Sequence, residues 1–154
     1  MNFIYLLKNN QSGQLLIEVI VVIGIIALLS TISIPLIARY QPNLKLSATA
    51  RDMTSDLRYA QQLTVSEQVV HKVRFNIGTD SYDVLRVGAV TTIIKSVVFN
   101  EVVSFQDVGS FTDDTVVFNY YGGVSESDSI VLINSNNETA TINIKPSGYV
   151  MFEE

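Results

Sequence analysis

The sequence predicts an α+β fold in which a long N-terminal helix packs on an antiparallel β-domain of about eight strands, arranged in two sheets. Two patterns lead to this prediction. Residues 15–38 form a nearly uninterrupted apolar run, typical of a helix that crosses the roughly 30 Å hydrocarbon core of a membrane. From Val69 onward, short segments alternate between apolar and polar residues with a period of two, which is typical of half-buried strands.

The apolar run contains one ionisable residue in its first half. From Leu15 to Leu29 it reads LLIEVIVVIGIIALL, and Glu18 is the only side chain there that can carry a charge. A carboxylate within hydrocarbon costs on the order of 2–4 kcal/mol even on mild insertion scales. We therefore expect Glu18 to have a partner. The Ser12-Gly13-Gln14 break before the run indicates a cleavage site that would create one.

Three simpler interpretations of this region compete. A secretory signal peptide needs a basic N-terminal region and a small-residue cleavage site, and only Lys8 and the weak Thr31-Ile32-Ser33 pattern are present. A plain single-pass anchor would leave Glu18 unexplained. Glu18 could also lie at the depth of the lipid headgroups, where its charge costs less.

The second half of the predicted helix is amphipathic. Pro35 lacks a backbone N–H and clashes with the preceding turn, so it should kink or locally melt the helix. After Pro42, apolar and small residues recur at spacings that alternate between four and three positions. Such residues lie on one narrow face of a helix, and we expect this face to pack on a sheet. Its members are Leu46, Ala50, Met53, Leu57, Ala60 and Thr64. The residues expected largely off that face are polar: Arg51, Asp52, Ser55, Asp56, Arg58 and Gln62.

The β-domain is predicted from Val69 to the C-terminal region. Turn signals such as Gly78-Thr79-Asp80, Gly122-Gly123 and Pro146-Ser147-Gly148 separate its alternating segments. The segments expected to form strands are Val69–Ile77, Tyr82–Val87, Thr92–Phe99, Val102–Phe105, Thr115–Tyr120, Ile130–Ile133, Thr139–Lys145 and Tyr149–Phe152. So many short strands in succession imply antiparallel pairing in two sheets, with the helix packed on one.

The start of the chain resembles the leader of type IV prepilins and pseudopilins. The resemblance rests on Gly13-Gln14-Leu15-Leu16-Ile17-Glu18, followed by the long apolar run. It implies that a membrane-embedded peptidase cuts after Gly13, that Gln14 becomes an N-methylated terminus, and that Glu18 is the family's assembly acid. One residue departs from the family pattern, because Gln14 stands where Phe is usual. An N-terminal Gln can cyclise, which would remove the amine that Glu18 would pair with.

The order of elements resembles the GspH/FimT group of minor pseudopilins and minor pilins. Ala50-Arg51 and Leu57-Arg58-Tyr59-Ala60 on the helix, followed at once by a Val-rich strand, carry this resemblance. It implies a leader at residues 1–13, a transmembrane and filament-core helix at 14–40, and an amphipathic helix with a β-domain at 41–154. It also implies a structural subunit of a secretion pseudopilus or type IV pilus, anchored in the inner membrane with its β-domain outside the cytoplasm. The expected partners are prepilin peptidase, other subunits, the assembly platform and membrane lipid.

Composition and charge argue against several other functions. The chain has no Cys, so disulfides and thiolate metal sites are excluded. From Gly78 to the C-terminus there are eleven acids and three bases, a balance of −8, and such a surface repels polyphosphates. We therefore expect no nucleic-acid partner. A DNA-uptake pilin, a role known within the FimT branch, is the alternative function, and a membrane-tethered β-domain that never polymerises is the third.

No residue pattern predicts catalysis or a cofactor. His71, the only histidine, lies on the apolar face of a predicted strand and is expected to be a core or helix-adjacent residue. Neither a nucleophile elbow nor a phosphate-cradling glycine pattern is present. Three acid pairs lack the spacing of a calcium loop and are expected to be solvated turns: Asp80/Asp83, Asp113/Asp114 and Glu126/Asp128. We expect no enzyme, no metal and no cofactor.

Overall fold

The structure is a computed structural model that describes residues 11–153, apart from the side chains of residues 11–14, 35 and 36. Its first element, α1, runs without interruption from Gln11 to Glu67. The chain divides into two compact units between Tyr40 and Gln41. The first unit holds the apolar part of α1, and the second holds the rest of α1 and the strands.

The second unit contains the eight strands that the sequence predicts. Their bounds are β1 His71–Asn76, β2 Ser81–Val87, β3 Thr91–Val98, β4 Val103–Asp107, β5 Thr115–Phe118, β6 Ser129–Asn134, β7 Thr139–Ile144 and β8 Val150–Glu153. Short 3₁₀ turns lie at Ile77–Thr79 and Thr112–Asp114. The predicted α+β fold with an antiparallel β-domain in two sheets is confirmed.

The strands form two four-stranded antiparallel sheets. The first sheet has the order β3-β2-β1-β5, and the second has the order β4-β6-β7-β8. In the first sheet Val73 lies opposite Val84 on one side and opposite Val116 on the other. Because directly opposite residues share a face of the sheet, these three buried side chains form part of one apolar surface.

The hydrophobic core of the second unit is shared by α1 and both sheets. The predicted helix face is confirmed, because Ala50, Met53, Leu57 and Ala60 are fully buried. The sheets contribute side chains that include Val73, Phe75, Tyr82, Val84, Phe118, Ile130, Leu132 and Ile142. Burying such a side chain contributes roughly 1.5–3 kcal/mol. Packing of this kind stabilises a domain that has no disulfide.

The packed face of α1 is wider than its spacing predicts. Thr54 and Asp56 are also buried, with only 5% and 7% of their surface exposed. The Thr54 hydroxyl donates to the Ala50 carbonyl oxygen at 2.8 Å, which satisfies it within the helix. The expectation that Asp56 lies off the packed face is wrong, because side chains of the first sheet bind its carboxylate.

Two glycine-containing loops meet beside α1. Gln61 Nε2 donates to the Gly122 carbonyl oxygen at 2.7 Å. Gly148 has a φ of +77°, and a Cβ at this position would collide with the same carbonyl oxygen. The left-handed backbone and the close approach both require glycine at position 148.

Candidate functional site

The apolar part of α1 has the composition and length of a membrane span. Leu15–Ile34 has a mean hydropathy of 2.8 over 20 residues, and none of this segment is buried by the rest of the chain. It is the one such span among residues 11–153. Large apolar side chains left exposed in this way need lipid or another protein to cover them.

Glu18 lies in the first turns of this segment. Its side chain is exposed, and it forms no ion pair with any residue in the described part of the chain. α1 begins at Gln11, so Gly13 and Gln14 lie in its first turn. Glu18 is the fourth residue after Gln14, which places the two about 6 Å apart along the axis, on the same side of the helix. The roles predicted for Gly13, Gln14 and Glu18 stay predictions, and most of the predicted leader lies outside the described residues.

A group of hydroxyl side chains precedes Pro35 in the same helix. Ser30, Thr31 and Ser33 donate to the carbonyl oxygens of Ile26, Leu28 and Leu29, at 2.8, 2.7 and 2.9 Å. These bonds satisfy the hydroxyls within the helix itself. α1 is continuous through Pro35, so the helix is not melted there in the isolated chain. A kink at Pro35 stays a prediction.

Asp56 is the centre of a polar contact between α1 and the first sheet. The Tyr82 hydroxyl donates to its Oδ2 at 2.7 Å, and Lys95 Nζ lies 2.7 Å from each carboxylate oxygen. Burial, together with the nearby carboxylate of Asp56, raises the pKa of Tyr82 well above its usual value. The tyrosine is therefore a neutral donor, and the lysine balances the charge. Sequence reasoning missed this contact because its partners lie far away along the chain.

Solved structures with this arrangement of helix and sheets include a minor pseudopilin and a minor pilin. The minor pseudopilin EpsH from the Type 2 Secretion System of Vibrio cholerae matches with a TM-score of 0.61 and 11% identity, over 71% of this chain and 96% of that chain. The type IV minor pilin FimU of Pseudomonas aeruginosa matches with a TM-score of 0.60 and 11% identity, over 75% of this chain and 92% of that chain. This chain has the GspH/FimT-like pilin fold.

A third structure supports the same assignment of the fold. GspH of E. coli matches with a TM-score of 0.55 and 19% identity, over 75% of this chain and 92% of that chain. No protein-family model and no curated protein match the sequence. The predicted resemblance to the GspH/FimT group is thus confirmed at the level of the pilin fold.

His71 is a structural residue of this pilin fold, as predicted. It is fully buried, its Nδ1 lies 2.8 Å from the Val69 carbonyl oxygen, and its backbone N–H donates to Thr64 Oγ1 at 3.1 Å. Its Nε2 has no hydrogen-bond partner, and the nearest carboxylate oxygen, from Glu67, is 3.8 Å away. Within residues 11–153 no group of three or more His, Asp or Glu side chains is placed to hold a metal ion.

Several acids of the predicted turns bind neighbouring parts of the β-domain. Hydrogen bonds from Arg74 and Ser96 lower the pKa of Asp83. Asp80 accepts the Phe105 backbone N–H at 2.9 Å. Glu126 accepts the Thr112 hydroxyl and backbone N–H, and Asp128 accepts the backbone N–H groups of Ser110 and Ser129, which lowers the pKa of both acids. Asp80, Glu126 and Asp128 fasten loops of the β-domain. The expectation of a solvated turn is wrong for Asp83, because Asp83 is buried in β2 and binds Arg74 of the neighbouring strand β1.

Proposed function

We propose that the protein is a minor pilin or pseudopilin, a structural subunit of a type IV pilus or type II secretion pseudopilus. One observation carries the proposal. An uncovered apolar helix with a single acid continues into the helix of a β-domain that shares its fold with EpsH and FimU. A subunit of this kind acts by assembling, so it needs neither a catalytic site nor a cofactor.

In the membrane stage of this proposal, Leu15–Ile34 spans the inner membrane and contacts lipid. At 1.5 Å per residue this segment is about 30 Å long, which equals the thickness of the hydrocarbon core. The second unit then lies on the periplasmic side, where its core folds without disulfides. After extraction from the membrane, the same apolar surface would pack against neighbouring subunits in the filament.

In the maturation stage, prepilin peptidase cuts after Gly13 and leaves an α-amine on Gln14. In one chain this amine and the Glu18 carboxylate lie one helical turn apart, and they can partly neutralise each other. Between chains, Glu18 of an incoming subunit would pair with the amine of a subunit already in place, at the assembly platform. A buried ion pair often adds little net stability, but it can fix how one helix is aligned along its neighbour. The pair would therefore set the axial position of the incoming subunit. The pairing requires that Gln14 does not cyclise, whether or not it is methylated.

The cleavage step is tested by intact-mass measurement of the chain produced with and without a prepilin peptidase. We expect the wild-type chain to lose residues 1–13 only when the peptidase is present. Gly13→Val should block the cut, since a branched side chain would fill the space at the scissile bond. Gly24→Val is the matched control, because Gly24 lies in the same apolar helix with no other atom near its Cβ position.

Three outcomes would contradict the proposed maturation. If the wild-type chain keeps its first thirteen residues, the protein is better described as a membrane-tethered β-domain that does not polymerise. If cleavage occurs near Thr31-Ile32-Ser33 instead, the apolar segment is an ordinary signal peptide. Cleavage of both glycine variants would mean that Gly13 does not define the site.

A further inference from the structure

A groove with a volume of about 340 Å³ lies between α1 and strand β8. Its helix wall carries Arg51, Ser55 and Arg58, whose spacings of four and three place them on one side of α1. Met151 and Phe152 of β8 form an apolar wall, and Thr54 completes the lining. The groove thus combines two guanidinium groups, a hydroxyl and an apolar surface.

The two arginines of the groove have no acidic partner within the described part of the chain. Three other bases of the β-domain do have one, since Arg74 pairs with Asp83, Arg86 with Glu67 and Lys95 with Asp56. The sequence contains fifteen acids against ten bases. Two arginines that line one groove and have no carboxylate partner among the described residues form a distinct positive site in such an acidic protein.

Contacts with β8 hold both arginines in position. The guanidinium carbon of Arg51 lies 5.8 Å from the centre of the Phe152 ring. Arg58 Nη2 donates to the Val150 carbonyl oxygen at 2.7 Å. A guanidinium has five N–H donors in a planar fork, so each arginine keeps donors for a ligand after making these contacts. Holding the side chains in place reduces the entropy that a ligand would otherwise cost on binding.

The surroundings of the groove favour a peptide over a nucleic acid. Met151 and Phe152 offer an apolar contact that suits a side chain, whereas a phosphate backbone would need more bases. From Gly78 to the C-terminus the charge balance is −8, and Glu153 directly follows Phe152. A polyphosphate would be repelled by that surface, whereas a short segment can place one or two carboxylates on the arginines alone.

We propose that this groove binds an acidic segment of another protein. Carboxylates of the segment would pair with Arg51 and Arg58, and a neighbouring apolar side chain would pack on Met151 and Phe152. This proposal rests on the charges and contacts of the groove, so it does not depend on whether the chain assembles into a filament.

Fluorescence anisotropy tests this site on the full chain in a non-ionic detergent. The probe is a fluorescein-labelled hexapeptide that alternates valine and glutamate. We expect saturable binding that weakens as salt increases, because exposed charge pairs are screened. Arg51→Gln and Arg58→Gln should each weaken binding about tenfold, since each removes a charge-assisted pair. Lys72→Gln is the control, because it removes one positive charge from β1, outside the groove.

Arg58→Gln also removes the hydrogen bond to the Val150 carbonyl oxygen. If Arg58→Gln fails to fold for that reason, Arg51→Gln decides the test. Arg51→Lys keeps the positive charge but loses the planar set of guanidinium donors. Its affinity for the peptide should lie between those of the wild type and Arg51→Gln. The proposal is overturned if the peptide does not bind, if a peptide with glutamine in place of glutamate binds equally well, or if Lys72→Gln weakens binding as much as Arg51→Gln. Tighter binding of a single-stranded DNA oligonucleotide through the same arginines would reassign the groove to nucleic acid and also overturn it.

Discussion

At the scale of single residues, Asp56 shows how a charge can lie on the packed face of an amphipathic helix. Its carboxylate accepts the Tyr82 hydroxyl and lies beside the Lys95 ammonium group, and both partners come from the first sheet. Burying a carboxylate is costly unless hydrogen bonds and an opposite charge compensate for it. Here each donor is matched by a carboxylate oxygen, so the contact also fixes the position of α1 on β2 and β3.

We predict that Asp56→Ala lowers the free energy of unfolding of residues 41–154 by about 1–3 kcal/mol, because it leaves the Tyr82 hydroxyl buried without an acceptor. Asp52→Ala is the matched control. Asp52 lies one turn earlier on α1 and is exposed, so its removal should change stability by less than about 0.5 kcal/mol. Urea unfolding of the unit, which contains the hydrophobic core, measures both values. Equal effects of the two substitutions would show that the polar contact does not stabilise the unit.

At the scale of elements, α1 has two parts that differ in what surrounds them. The large apolar side chains of Leu15–Ile34 are exposed, whereas one face of the part from Leu46 to Thr64 lies against the β-domain. The first part is apolar on every side, which suits lipid or a filament interior, and the second is amphipathic. The loops after β5 and β7 add a further contact, because Gly122 and Gly148 meet there beside Gln61.

The loop contact predicts different outcomes for two glycine substitutions. Gly148→Ala should destabilise residues 41–154 by about 2–4 kcal/mol, because alanine is strained at a φ of +77° and its Cβ would displace the Gly122 carbonyl. Gly78→Ala, in the 3₁₀ turn after β1, has no atom within 4 Å of the added Cβ and should change stability by less than about 0.5 kcal/mol. Thermal unfolding of both variants measures the difference. A Gly148→Ala variant as stable as the wild type would mean that the two loops separate without cost.

At the scale of the whole molecule, the pattern of apolar and polar residues along the chain predicted the helix and the strands. Contacts between residues that are distant in the sequence were not predicted. The repeat of Leu46, Ala50, Met53 and Leu57 predicts the buried helix face, since a helix returns to the same side every three or four residues. The pairing of strands that are far apart along the chain, such as β1 with β5, was not predictable, because it depends on how distant segments pack. Similarly, the partners of Asp56 lie 26 and 39 residues away, and Arg58 binds a carbonyl 92 residues away.

The predicted role of Glu18 depends on a signal of a different kind. An acid within an apolar run is conspicuous in sequence because its cost is high and local. Its proposed partner could not be seen in the fold, since the amine of Gln14 would form only after the proposed cleavage. The structure accordingly places Glu18 on an uncovered helix surface without an ion pair to any described residue.

Incorporation of Glu18→Ala into filaments tests the central claim most directly. The measurement is the amount of processed chain in sheared filaments relative to the membrane fraction, in cells that assemble pili or pseudopili. The account predicts that wild-type chain, starting at Gln14, is found in the filaments, whereas Glu18→Ala is exported and folded but stays in the membrane. Equal incorporation of the variant would contradict the pairing mechanism, and a wild-type chain that never enters filaments would contradict the role as a subunit.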